Sequence, residues 1–90
     1  MLVLPPELTH REARACLAQL LESLRGQKEA PVVVEASGLT RFDSSALALL
    51  IALRRECLAS ARPFSVNGLP PKLRQLAGLY GVAELFYPAK

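Results

Sequence analysis

The chain has 90 residues, 51% of them hydrophobic, and a formal charge of +3. That length supports one domain with one modest core, burying roughly 60–65% of the unfolded surface, and the apolar content sets the chain apart from disordered sequences. The basic residues are scattered and have few aromatic neighbours, which argues against nucleic-acid binding, and the apolar runs fall short of the about 20 residues that a membrane-spanning helix needs.

In chain order, Leu2-Val3-Leu4 predicts a short strand that Pro5-Pro6 ends. With no basic start and no small-residue cleavage site, this end does not read as a signal peptide, and a cytoplasmic location is expected. Thr9-His10-Arg11-Glu12 matches a capping box, in which Thr9 caps and Glu12 reaches back. Ala13, Leu17, Leu20, Leu21 and Leu24 follow at helical spacing and Gly26 is a natural stop, so a helix over about 9–25 is expected. His10, the single histidine, is expected exposed in the first turn with no ligand cluster around it. Cys16 and Cys57 lie in apolar helical patterns without a C-x-x-C spacing, which reads as two buried free thiols rather than a disulfide or a metal site.

Pro31 opens Val32-Val33-Val34-Glu35-Ala36, an unalternating β-branched run that predicts a strand buried on both faces. Ser37-Gly38 breaks it, and a loop over 37–42 leads to Asp43. A helix then runs from about 44 to 60 and stops at Arg62-Pro63. Phe64-Ser65-Val66-Asn67 predicts another strand. Pro70-Pro71 suits a helix start, because a proline in the first turn gives up no needed N–H. Leu69, Leu73, Leu76, Ala77 and Tyr80 form the inward stripe of that helix, Gly81 ends it, and the tail 82–88 reads as a short strand or turn. Strand 32–36, helix 44–60 and strand 64–67 make a βαβ unit with parallel strands and a right-handed crossover. The expected fold class is α/β, one domain over residues 1–90, with no internal repeat and no linker.

The stretch Thr40-Arg41-Phe42-Asp43-Ser44-Ser45-Ala46-Leu47-Ala48-Leu49-Leu50 stands out, since three small polar groups interrupt an apolar run. Helix capping explains Asp43, and serine is tolerated in a first turn. The same residues suit a docking or phosphorylation site. Catalysis is disfavoured: the only histidine is far along the chain, the pattern is not G-x-S-x-G, the glycines form no phosphate loop, and no pair of carboxylates is arranged for acid–base work. No cofactor or metal site is expected. On the helix, Ala46, Leu49, Leu50, Leu53 and Cys57 cluster on one side, and Leu47, Ile51 and Leu58 widen the apolar arc to about 200°. Burial beneath several neighbours accounts for such an arc equally well as a partner does. The remaining arc carries Ser44, Ser45, Ala48, Ala52, Arg55, Glu56, Ala59 and Ser60, mostly small side chains that let another protein approach closely.

The order strand, turn, D-S-S-A-L-A-L-L helix, strand, helix resembles the STAS domain, the family of anti-sigma-factor antagonists and of the cytoplasmic tails of sulfate transporters. The carrying stretch is 32-VVVEASGLTRFDSSALALL-50. The resemblance implies a small mixed β-sheet with helices packed against it and a binding rather than catalytic role. Ala46 stands where antagonists commonly carry glycine, and 3-VLPPELT-9 replaces the usual N-terminal hairpin. The segment 66-VNGLPPKLRQLAGLYGVAELF-86, with A-L-A-L-L at 46–50, is similar to the MlaB branch, the STAS subunit of the Mla phospholipid ABC transporter that maintains outer-membrane lipid asymmetry.

That resemblance implies a non-catalytic accessory subunit bound to the cytoplasmic, MlaF-like ATPase, indirectly to the permease, at the inner face of the inner membrane. It inserts no segment into the membrane itself. Ser44 matches a threonine needed for ATPase contact in the transporter subunit. Ser45 matches the serine that kinases modify in anti-sigma-factor antagonists, so the motif is equally compatible with a partner-switching regulator whose partner is an anti-sigma-factor kinase. The candidate partner-binding residues are Asp43, Ser44, Ser45, Ala48 and Arg55, with Ser45 the candidate phosphorylation site.

Overall fold

In the computed structural model, which describes residues 2–26 and 31–86, the elements follow in order as β1 (Leu2–Val3), β2 (Glu7–Leu8), α1 (Ala13–Gly26), β3 (Val32–Glu35), β4 (Arg41–Phe42), α2 (Ser44–Ala59), β5 (Phe64–Asn67), α3 (Pro71–Leu79) and a 3-10 turn over Ala83–Phe86. The main sheet has the order β1-β3-β5, and β2 and β4 form a separate two-stranded ribbon. Every strand pair is parallel, where a mixed sheet was expected. The adjacency of β3 and β5, with Val32 opposite Phe64 and Val34 opposite Val66, is the βαβ pairing that the sequence predicts.

Side chains alternate across a strand, and the burial follows that period. Leu2, Val32, Val34, Phe64 and Val66 are buried and join the helices in one core. Val33, Glu35 and Ser65 are half-buried and Val3 and Asn67 exposed. The expectation that the valine run is buried on both faces is therefore corrected: the helices cover one face only. Each fully buried Val, Leu or Phe contributes about 1.5–3 kcal/mol relative to exposure.

The wide apolar arc of α2 has a packing explanation. This helix contacts α1, α3, β5 and the 3-10 turn. It buries Ala46, Leu47, Leu49, Leu50, Leu53 and Cys57, while Ile51 is half-buried and Leu58 is 56% exposed. Its C-terminus closes as a Schellman motif: Ala61 N–H donates to Leu58 O at 3.1 Å and Arg62 N–H to Cys57 O at 2.8 Å. Ala61 occupies the left-handed position, φ 54°, where glycine is usual. The same motif ends α3, with Gly81 at φ 69° and Val82 N–H donating to Ala77 O at 2.9 Å. Arg62 is buried, and its guanidinium donates to Leu24 O at 3.1 Å at the end of α1.

Three further boundaries differ from the sequence reading, and the tail forms the turn that was one of its two expected outcomes. The first helix begins at Ala13 rather than Thr9, and residues 9–12 form a turn closed by the capping box: Thr9 N–H and Thr9 Oγ1 each donate to Glu12 Oε1 at 2.8 Å. The loop over 37–42 contains β4, and its partner β2 follows directly on Pro5-Pro6. Tyr80, placed on the inward stripe of α3, is 62% exposed, because α3 ends one residue earlier. Phe86 is fully buried in the 3-10 turn, so the tail closes the core as a turn; residues 87 and 88 lie outside the described segments. Cys57 is buried as expected and Cys16 only half so, both as free thiols.

Candidate functional site

The site is built by the β2–β4 ribbon. Its register sets Glu7 opposite Arg41 and Leu8 opposite Phe42. Thr40 and Arg41 N–H both donate to Pro6 O, at 2.8 and 3.0 Å, which locks that register. One step beyond the ribbon, the chain enters α1's capping turn on one side and α2 on the other. Thr9-His10 and Asp43 are thereby brought side by side.

Asp43 is the N-cap of α2, in extended conformation with φ −135°. Its Oδ1 accepts the Ser45 N–H at 2.8 Å. Its Oδ2 accepts the His10 N–H at 3.0 Å and lies 3.2 Å from His10 Nδ1. One carboxylate thus serves the entries of two helices. The Ser45 amide first, and then the His10 amide, hold the Asp43 carboxyl down at about 2, helped less by the His10 and Ser45 side chains and opposed by partial desolvation. Glu12 is also held below its ordinary value, chiefly by the Thr9 N–H. Beside these groups, Glu7, His10, Arg11, Arg41 and Asp43 line a shallow pocket of about 300 Å³.

Of the residues singled out from sequence, Asp43, Ser44 and Ser45 form this entry. Ser44 is exposed, and Ser45 is half-buried with its amide tied to Asp43. Ala48 and Arg55 are exposed and fall on the same stripe of α2 as Ser44, at helical offsets of four and eleven residues. Arg55 is therefore not part of the turn; at 1.5 Å per residue it lies about 16 Å along the helix axis from Ser44. His10 was missed as a member of the site. It sits 33 residues from Asp43 in sequence, and only the pairing of two-residue strands joins them.

These groups form a polar, partly exposed patch. His10 is 76% exposed and engages Asp43 through Nδ1. Burial pushes the Cys16 and Cys57 thiols up, away from nucleophilic thiolates. Among the described residues no three His, Cys, Asp or Glu side chains cluster as metal ligands, and no helix is long and apolar enough to cross a membrane.

Parallel strands flanking a helix that starts at Asp-Ser-Ser, followed by a second helix, define the class as a STAS domain. The family model described as "Mlab, STAS domain" matches residues 1–87, and the chain belongs to that family. STAS domains are generally non-catalytic. None of the curated proteins compared matches the chain.

Proposed function

We propose that the chain is a non-catalytic accessory subunit that binds the ATPase of an Mla-type phospholipid ABC transporter. It sits at the cytoplasmic face of the inner membrane through that complex. The observation that carries this reading is the exposed stripe Ser44–Ala48–Arg55 on α2, which begins at a helix entry fixed by Asp43. Small side chains at its start let a partner surface approach the helix backbone. The double hydrogen bonding of Asp43 holds that start in one geometry, so little ordering cost remains at binding. The subunit acts by differential affinity: it stabilises whichever ATPase state presents the complementary surface, and it moves no proton or phosphoryl group itself.

Copurification tests this reading. The native chain is expected to bring down an ABC ATPase together with its permease. Ser44→Glu is expected to leave the melting temperature within a few degrees of wild type, because Ser44 is exposed and a helix start favours an acidic group by a few tenths to about 1 kcal/mol, offset by the neighbouring Asp43. The same change puts a desolvated charge into a close contact and is expected to abolish ATPase recovery. If Ser44→Glu and Ser45→Glu both keep full binding, the interface lies elsewhere. Stoichiometric phosphoserine at Ser45 together with a copurifying anti-sigma-factor kinase replaces this reading with partner switching.

A further inference from the structure

The net charge of the protein is concentrated in one place. Helices α2 and α3 contain Arg54, Arg55, Lys72 and Arg74 against the single carboxylate of Glu56, a balance of +3. The seven basic and seven acidic residues in the rest of the chain cancel, so these two helices hold the entire formal charge of +3. The two helices pack against each other. Arg55, Lys72 and Arg74 are exposed and Arg54 is half-buried. Among the described residues, none of these four cations has a hydrogen-bond or ion-pair partner. The same helices and their ends also carry three of the four large apolar residues exposed among the described residues: Leu58 at 56%, Leu79 at 82% and Tyr80 at 62%.

We infer that the α2–α3 layer docks an acidic protein surface, whose carboxylates pair with Arg55 and Arg74 and whose apolar side chains cover Leu79 and Tyr80. This rests on the proposed ATPase-binding role and adds to it the chemistry of the partner face. Unpaired cations on two adjacent helices, with an otherwise neutral protein behind them, create a local positive field that steers an acidic partner and rejects a basic one. The composition points to protein rather than lipid. Three of the four cations are arginine, whose planar fork matches carboxylates, and Arg and Tyr are enriched among the residues that dominate protein interfaces. Four cations with three dispersed apolar groups give only a weak attachment to an anionic bilayer.

The test measures affinity of the intact protein for the copurified MlaF-like ATPase, in 50 and 500 mM NaCl. Salt is expected to weaken binding on the order of tenfold by screening these exposed charges. The double substitution Arg55→Glu/Arg74→Glu is expected to lose on the order of 100-fold, and Arg14→Glu on α1, also exposed but outside the layer, less than about threefold. Reversal of acidic residues to lysine on the ATPase is expected to rescue the double variant. Binding by wild type that ignores both salt and the double substitution overturns the inference alone, as does an equal loss in Arg14→Glu. No binding by wild type overturns it together with the functional reading. Cosedimentation with phosphatidylglycerol vesicles, abolished by the double substitution while ATPase binding is kept, assigns the face to membrane and also overturns it. Circular dichroism melting of each variant separates lost binding from lost folding.

Discussion

Ala61 is the residue whose replacement tests the end of α2 most directly. It closes the Schellman motif at φ 54°, with its own N–H donating to Leu58 O and the next N–H to Cys57 O. A left-handed conformation costs a residue with a Cβ about 1–2 kcal/mol, and glycine is free of that cost. Glycine also enlarges the unfolded ensemble, which takes back about 0.4–1 kcal/mol. Ala61→Gly is therefore expected to stabilise the protein by about 0.5–1 kcal/mol. At about 4–8 °C per kcal/mol for a domain of this size, the melting temperature rises by about 2–8 °C. Gly81→Ala is the mirror experiment: φ is 69° and an added Cβ meets nothing within 4 Å, so only the conformational cost appears, with the opposite sign. Thermal unfolding followed by far-ultraviolet circular dichroism reads both. A melting temperature for Ala61→Gly at or below wild type refutes the argument, because it means that the left-handed residue carries no strain at this site.

Gly68→Ala is expected to destabilise more than Gly81→Ala at the same φ of 69°, since its Cβ would lie 2.8 Å from Ser37 Cβ and 3.1 Å from the Ser37 backbone nitrogen; urea midpoints of the two variants give the order. Leu50→Ala, at a fully buried position, is expected to cost about 2–5 kcal/mol, and Leu50→Asp to leave no cooperative unfolding transition by circular dichroism. The Asp43 carboxyl titrates lower in the folded protein, at about 2, than its ordinary 3.8, so its stabilisation is complete above about pH 4 and is lost as the pH falls through about 2. Asp43→Asn is accordingly expected to flatten the fall of the urea midpoint between pH 4 and 2, whereas an unchanged slope contradicts the clasp. Iodoacetamide is expected to label Cys16 well before Cys57, which is buried, and mass spectrometry of the native protein reads the order.

The sequence carries the fold class well because its long elements announce themselves locally. The apolar spacing of 44–59, the β-branched run at 32–35 and Pro70-Pro71 each act within a few residues of chain. Glu12 reaching back to Thr9, and Asp43 to Ser45, are likewise contacts over two or three residues, and both were legible as caps. What was not legible depends on pairing at a distance. Strands β2 and β4 are two residues each, too short for a period-two signal, and they exist because they bond to one another across the molecule. His10 belongs to the site for that reason alone. The half-exposure of Val33 has the same origin: three consecutive valines look alike in sequence, and only the placement of the helices over one face decides which of them is covered. Tyr80 shows the limit of periodicity at a helix end, where the chain leaves the helical path before the next inward position is reached.

The two oxygens of Asp43 belong to different stages of folding. Oδ1 bonds an amide two residues away, a contact that forms with the first turn of α2 on the timescale of helix nucleation. Oδ2 bonds an amide 33 residues away, and that contact waits for a long loop to close and for the two short strands to find their register. The carboxylate therefore works first as a local start signal and later as a latch that records the arrival of the N-terminal segment. In the folded protein, transient opening of that latch leaves α2 still capped through Oδ1. Hydrogen exchange at the His10 amide is thus expected to run faster than at Ser45, with α2 intact throughout.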